Sequence, residues 1–338
     1  MDAHFTSLVD AGYLVRPATY ADLPQVVALF NAYEREFIGA GDCTVERYGD
    51  GWRQSGIDVE ASTRVVMTPD GCIVGVVELW DHFNPPVRPY IWARVHPQAQ
   101  GRGIGSSMLA WALSTSKRSL DRVPEDVRVA AQASAPCTDL RSIERFERAG
   151  MRNSRYMWQM LTDLDRPIRA PQWPAGILVR TLRYPDDLEA AFRAEDEAFR
   201  DHWGYVERPF EEAFERWKKH RFGAAKLQPD LWFIATAGDE IAGQVNSQER
   251  DDLDASMGWI ATVGVRKPYR QRGIGQALLL HAFRELQARG VSRTGLMVDA
   301  ANRTGATRLY ERVGMRVQHE FAHYELELRP GRELAVVD

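Results

Sequence analysis

The stretch Thr262-Val263-Gly264-Val265-Arg266-Lys267-Pro268-Tyr269-Arg270-Gln271-Arg272-Gly273-Ile274-Gly275-Gln276-Ala277-Leu278-Leu279 runs from a β-rich segment through a basic, glycine-bearing turn into a helix. The first N–H groups of a helix have no partner inside it, and the helix dipole puts partial positive charge there. Glycine lets an anion come close to that backbone. Arg270 and Arg272 add full charges. The six residues Arg270 to Gly275, with Gln276 behind them, therefore read as a pyrophosphate cradle. A phosphate loop of the nucleoside-triphosphatase kind would end in Gly-Lys-Ser/Thr, which is absent. A dinucleotide fingerprint would follow an early strand, whereas this turn lies deep in its half of the chain, behind hairpins.

The turn has a twin. Gln100-Gly101-Arg102-Gly103-Ile104-Gly105 repeats it, with Val95 before and Ser106 after. Leu14-Val15-Arg16 returns as Leu178-Val179-Arg180, and Phe146-Glu147-Arg148-Ala149-Gly150-Met151 as Tyr310-Glu311-Arg312-Val313-Gly314-Met315. These landmarks are shifted by 164 residues at both ends and by 170 at the turn. So steady a shift marks an internal duplication. A chain of 338 residues has room for two domains. The expected division is residues 1–164 and 177–338. The segment 165–176 between them is read as a linker, stiffened by Pro167, Pro171 and Pro174.

Each half has one order of elements. A short strand (Tyr13–Pro17; Ile177–Leu182) leads into helix, with Asp22 and Asp186 or Asp187 placed to cap it. Hairpins follow, with Thr63–Met67 and Ile73–Trp80 in one half and Leu231–Thr236 and Ile241–Ser247 in the other. A further strand (Pro89–Val95; Gly258–Val265) enters the turn. Then come a helix (Ile104–Ser116; Ile274–Arg289), a strand (Val127–Ala131; Gly295–Val298), a helix and a last strand. Hairpins followed by a β-α-β unit predict an α/β (α+β) fold: two tandem domains, each a mixed, mostly antiparallel sheet flanked by helices.

R/Q-x-x-G-x-G after a strand carrying V-x-V resembles motif A of the GNAT superfamily of N-acetyltransferases. Asn302-x-x-x-Ala306-x-x-Leu309-Tyr310-Glu311-x-x-Gly314-Met315 resembles its motif B. The resemblance covers nearly the whole chain, twice. It implies acetyl-coenzyme A as donor, with no metal. It also implies roles for matching residues. Arg270, Gln271, Arg272, Gly273, Ile274 and Gly275 would hold the pyrophosphate through backbone N–H groups. Val263 and Val265 would pair with the pantetheine arm like an added strand. Asn302 would touch the cofactor arm, and Tyr310 would sit near the sulfur. In the first half, Val95 and the run Gln100, Gly101, Arg102, Gly103, Ile104, Gly105 and Ser106 would hold coenzyme A in the same way.

Acetyl transfer needs a neutral amine, a stabilised oxyanion and a proton for the leaving thiolate. The Val265 N–H can serve the oxyanion. Tyr310 can supply the proton, a contribution of about 10²–10⁴-fold. The halves differ here, because Phe146 and Thr138 stand where the second half has Tyr310 and Asn302. The first half is expected to bind coenzyme A without catalysing, and the second to carry the chemistry. Many family members place a glutamate on the strand before the turn, but Met257–Thr262 contains no acid. Asp299 is the candidate base, with Glu249, Asp251, Asp252 and Asp254 as alternatives. A water chain is a further route. His202, Trp203 and Tyr205 are the candidate contacts for the acceptor.

A net charge of -4 and a pI near 6.1 argue against nucleic acid as the main partner. No apolar run approaches the roughly 20 residues of a membrane span. Cys43, Cys72 and Cys137 match neither a zinc nor a disulfide spacing, and His319 and His323 lack a third metal ligand. The start of the chain has no secretion pattern, so a reducing cytoplasm is expected, and a tandem chain, which can satisfy alone what single-domain relatives achieve by pairing, is expected to be a monomer. The reading is an N-acetyltransferase for a small-molecule amine. Its alternatives are acylation of a protein or peptide, and a coenzyme A-binding sensor or scaffold without turnover.

Overall fold

The computed structural model describes residues 2–82, 84–222, 228–251, 254–301 and 305–336. Contacts divide the chain into two units. Unit 1 is Met1–Tyr156 with Glu320–Leu334, and unit 2 is Met157–His319 with Ala335–Asp338.

Unit 1 contains α1 (Thr6–Asp10), β1 (Leu14–Arg16), α2 (Leu23–Ile38), α3 (Val45–Ser55), α4 (Val59–Ser62), β2 (Thr63–Met67), β3 (Ile73–Trp80), β4 (Tyr90–Val95), α5 (Ile104–Ser116), β5 (Val129–Pro136) and α6 (Leu140–Arg148). It also holds the start of β6 (Arg152–Asp163). In unit 2 lie the rest of β6, β7 (Ile177–Thr181), α7 (Leu188–Phe199), α8 (Phe210–Phe222), β8 (Trp232–Ala237), β9 (Glu240–Gln248), β10 (Gly258–Val265), α9 (Ile274–Ala288), β11 (Arg293–Asp299) and α10 (Ala306–Arg312). The last strand, β12, spans Arg316–Arg329.

The two units share one topology. In unit 1 the strands run β1-β2-β3-β4-β5, antiparallel up to β4 and parallel between β4 and β5. In unit 2 the order β7-β8-β9-β10-β11 repeats this, with β10 and β11 parallel. Both central strands read as almost unbroken buried runs, as in β9, where Ile241 to Ser247 are all buried. Such a run fits a strand covered on both faces. One face of the first sheet packs on α5 through Met108, Leu109 and Trp111, the other on α2 and α3 through Val26, Leu29 and Trp52. In the second, Leu278, Phe283 and Leu286 of α9 cover one face, and Phe192 and Trp217 of α7 and α8 cover the other.

Neither compact unit is one half of the sequence. The strand beside β5 in unit 1 is Phe321–Arg329, from the far end of the chain. The strand beside β11 in unit 2 is Met157–Asp163, from the first half of the sequence. The closing strands are therefore exchanged, so neither unit is one contiguous stretch. The segment 165–176 is also not a free linker. Ile168 and Trp173 pack on the core under α9, and Gln287 donates to the carbonyls of Leu164 and Arg166 at 2.6 and 2.7 Å. Its prolines supply stiffness, but its apolar residues bind it to the unit that follows.

Asp22 and Asp187 do stand at helix N-caps, yet neither carboxylate caps its helix. Arg16 holds Asp22 at 2.7 Å, and Arg180 holds Asp187 at 2.5 Å. Burial favours the neutral Asp187, but hydrogen bonds from Arg180 and Arg183 outweigh it and pull the carboxyl down to about 2. The pair staples the first strand to the first long helix in both units.

Candidate active site

In unit 2, β10 pairs in parallel with β11 only at Gly258 to Thr294 and Trp259 to Gly295. Beyond Trp259 the two strands part, while β10 stays paired with β9 as far as Val265. One edge of β10 therefore carries a row of backbone groups with no strand beside it. A bulge at Ala261 lies where the parting begins, and a bulge bends its strand. Unit 1 repeats the split. Its β4 meets β5 only at Tyr90 to Gln132 and Ile91 to Ala133, and its β4–β3 register is unbroken.

The glycine turn closes the open end. Gly273 takes a left-handed φ of 86° at the N-cap of α9, and its side-chain position has nothing within 4 Å. Gly103 matches it with φ 81° at the start of α5. Neither helix has a side chain capping its first N–H groups. The space beside Gly273 and Gly103 is open, which suits an anion at each helix start. Gln271 adopts φ 61°, which is rare outside glycine, where unit 1 has Gly101 at 79°. Held strain of this kind clusters at functional sites.

Tyr310 lies on α10, buried in the core under α9 together with Leu296 and Val298 of β11. Burial alone pushes its hydroxyl up to about 12, so it stays protonated through the physiological range. Among the described residues no group hydrogen-bonds that hydroxyl. Strand alternation puts Met297 and Asp299 on the opposite face from Leu296 and Val298. That face is shared with Thr262 and Gly264 of β10. Arg221 of α8 donates to the Thr262 hydroxyl, and Gly264 lies under Ala198 and Phe199 of α7. The split between β10 and β11 thus has Tyr310 on one side and the α7–α8 layer on the other.

Several expected residues have other occupations. Arg270 does not point into the cradle. Its guanidinium grips Asp201 at 2.5 and 3.0 Å and donates to the Ala198 carbonyl at 2.8 Å. Glu249 is paired with Arg289 at 2.7 Å, and Asp254 is held by Arg293 and Ser256. Those two loop acids serve the fold. Asp299 ends β11 and accepts from the Ala301 N–H at 2.9 Å. Asn302 and Asp252 lie outside the described residues. His202 is half-buried against Phe199, ring centroids 4.5 Å apart, and burial lowers its pKa. Trp203 and Tyr205 are half-buried beside it, the Tyr205 hydroxyl donating to Asp196 at 2.9 Å.

Unit 1 holds a cleft of about 470 Å³ at its own turn, lined by Val95, Ala99 to Gly101, Gly103 to Ser106, Arg141, Glu144, Arg145 and Arg148, with Glu144 paired to Arg148. Arg145 presses on the first turn of α5, where a side chain on Gly105 would meet its Cζ at 2.5 Å. Its counterpart in unit 2 is Leu309, which lies against Gly275. Arg141 and Arg145 belong to no motif of the sequence, and folding alone brings them to the turn. The signal available was the arginine spacing, i, i+4 for Arg141 and Arg145 and i, i+3 for Arg145 and Arg148, on a helix capped by Asp139. Phe146, opposite Tyr310 in the repeat, is plain core, 5.4 Å from the ring of Tyr324. Among the described residues no group of acids, histidines and cysteines is placed to hold a metal, and no helix is long and apolar enough to cross a membrane.

Comparison with known proteins agrees with this architecture. The profile of the Acetyltransferase (GNAT) family matches residues 26–150 and again 188–315. Mycothiol acetyltransferase of Thermobispora bispora is 32% identical over 258 residues, 75% of this chain and 80% of that protein. The enzyme of that name from Nocardia farcinica is 29% identical over 268 residues, 77% and 81% of the two chains. A GCN5-related N-acetyltransferase from Sphaerobacter thermophilus superposes with a TM-score of 0.79 at 32% identity, over 95% of this chain and 97% of that one. A tandem GNAT protein from the clavulanic acid biosynthesis pathway shares the fold, at a TM-score of 0.70 and 16% identity over 95% and 100%. With two family matches on two copies of the split sheet, this chain belongs to the GNAT acetyltransferase family, as an N-acetyltransferase built from two GNAT domains.

Proposed function

We propose that this protein transfers the acetyl group of acetyl-coenzyme A to the primary amine of a small molecule, and that unit 2 does the chemistry. The observation that carries the reading is the buried Tyr310 hydroxyl beside the β10–β11 split, where unit 1 has Phe146. The glycine turn fits the donor: Gly273 leaves the first N–H groups of α9 open to a pyrophosphate, and the split leaves a strand edge for the pantetheine arm. Val263 and Val265 lie on that edge, with Arg272, Ile274 and Gln276 around the turn.

The reaction then uses both sides of the split. The amine approaches from the α7–α8 side, past His202, Trp203 and Tyr205, and its nitrogen attacks the thioester carbon. A C–N bond forms, and a β10 N–H, that of Val265, holds the oxyanion. The C–S bond breaks, and the thiolate takes the Tyr310 proton. The ammonium proton leaves toward Asp299 or solvent water on the amine's side. Acid and base on opposite faces keep the two proton transfers apart.

In unit 1 we assign coenzyme A binding without turnover. Its turn has the same open helix start, reinforced by Arg141 and Arg145, but the acid position is Phe146. The mycothiol acetyltransferases among its relatives support a small acceptor. The test is release of free thiol from acetyl-coenzyme A across a panel of small amines. Thiol release by wild type that vanishes in Tyr310→Phe supports the reading. A chain that binds acetyl-coenzyme A but releases no thiol with any amine would leave only a binding protein.

A further inference from the structure

Arg270 ties together three pieces of unit 2. Its Nε donates to the Val265 carbonyl at the end of β10, at 3.1 Å. Its Nη2 donates to the Ala198 carbonyl near the end of α7, at 2.8 Å. Both terminal nitrogens reach Asp201, which follows α7, at 2.5 and 3.0 Å. One side chain at the mouth of the coenzyme turn thus holds the start of the loop 199–205. The rest of that loop is held too. Phe199 packs over Gly264, with its Cε2 3.1 Å from where a side chain would begin. Gly204 donates to the Val336 carbonyl at 2.7 Å, and Val336 donates back to the Tyr205 carbonyl at 2.9 Å.

Unit 1 supplies the contrast. Gln100 stands in place of Arg270 and makes no such bridge among the described residues. The segment after α2 is tied to its own helix instead. Asn31 donates to the Cys43 carbonyl at 2.8 Å and accepts from the Cys43 N–H at 3.0 Å, and Arg35 donates to the Gly41 carbonyl at 2.6 Å. Among the described residues, a side chain of the glycine turn thus bridges to the helix-end loop in unit 2 and not in unit 1.

We propose that Arg270 is a positioning residue that couples the coenzyme turn to the amine-side loop, and so sets affinity for the acceptor rather than for the coenzyme. A guanidinium engaged with a carboxylate and two carbonyls has little left to offer a phosphate. The phosphate site keeps its backbone donors without it. Among the described residues, the Asp201 carboxylate is hydrogen-bonded to no side chain of the turn but Arg270. This inference rests on unit 2 being the transferase site.

The test compares Arg270→Gln, which installs the residue unit 1 uses, with Asp201→Asn, the double variant and Arg270→Lys. Acetyl-coenzyme A affinity is measured by calorimetry, and acceptor KM and kcat by thiol release with the best amine of the panel. Arg270→Gln is expected to raise acceptor KM about tenfold or more, the scale of one lost charge-assisted hydrogen-bond pair. Acetyl-coenzyme A affinity should stay within about threefold, since no differential contact is lost. The double variant should be no worse than the worse single, as expected for residues acting through one contact. Arg270→Lys should recover part of the KM. Arg270→Gln that weakens acetyl-coenzyme A and leaves acceptor KM alone would overturn the proposal and make the guanidinium a phosphate ligand. Additive effects in the double variant would overturn it as well. If wild type releases no thiol with any amine, the transferase reading fails and takes the coupling with it; an active wild type with an unchanged Arg270→Gln removes the coupling alone.

Discussion

Units 1 and 2 have the same strand order, the same split between their parallel strands and the same left-handed glycine at a helix start. They differ in what surrounds that frame. Unit 1 fills the face of β4 with charge: Arg94 pairs with Glu34 at 3.2 Å, both almost fully buried, and stacks 4.0 Å from the ring centre of Trp92 and 4.5 Å from that of Tyr33. Unit 2 has Gly264 at that strand position, with Phe199 lying over it. Unit 1 lines its turn with arginines and backs it with Phe146. Unit 2 lines its turn with Leu309 and backs it with Tyr310. A duplicated frame is thus compatible with two uses, and the side chains that differ around the split are the ones our proposed division of labour rests on.

The largest effect should come from the acid. Tyr310→Phe is expected to lower kcat by about 10²–10⁴-fold with little change in melting temperature, since only a hydroxyl is lost. Phe146→Leu should leave kcat near wild type. Equal losses from the two would erase the asymmetry. Next is the buried pair of unit 1. Arg94→Ala strands Glu34 in the core and should cost about 3–5 kcal/mol in urea unfolding, with activity retained below the transition. Full loss of thiol release in folded Arg94→Ala would mean that unit 1 takes part in the chemistry.

The glycines separate binding from turnover. Wild type is expected to bind two equivalents of acetyl-coenzyme A by calorimetry. Gly273→Trp should keep one and lose turnover, whereas Gly103→Trp should keep one and keep turnover; each blocked site weakens by at least about tenfold, or about 1.4 kcal/mol. A smaller effect follows from packing. Gly264→Ala puts a methyl 3.1 Å from Phe199 and 3.2 Å from Ala198, and should cost about 1–3 kcal/mol of stability. The smallest signal is in pH. With its hydroxyl pushed up to about 12, Tyr310 stays protonated well past the value of about 10 for a free tyrosine. Its loss should therefore put no falling limb in the kcat profile below that ordinary value. A tyrosine-dependent fall centred near it would show a hydrated, unperturbed group.

Much of this frame could be read from the chain. The repeated turn, the V-x-V strand and the Tyr/Phe exchange all lie in short local patterns, because strand, turn and helix start obey local rules. What escaped the reading depends on partners distant in sequence. Arg270 looks like a phosphate cation until Asp201, brought in by α7, claims it. Arg145 is one helix charge among several until folding lays it on Gly105. The prolines of 165–176 suggest a spacer, and only the position of α9 shows Trp173 ring to ring with His281 at 6.1 Å. The exchanged closing strands have no local signature, since each carries the same alternation wherever it pairs.

That exchange orders the protein in time as it leaves the ribosome. The strand that completes unit 2, Met157–Asp163, is made before β11, so unit 2 can close its sheet as soon as β11 appears. Unit 1 has to wait, because Phe321 meets Pro136 across 185 residues of chain. Through that interval β5 has a bare edge, the kind of surface that pairs wrongly with other chains. A stop codon before Glu320 would accordingly leave the first-made unit unfinished while the last-made one could still build its sheet.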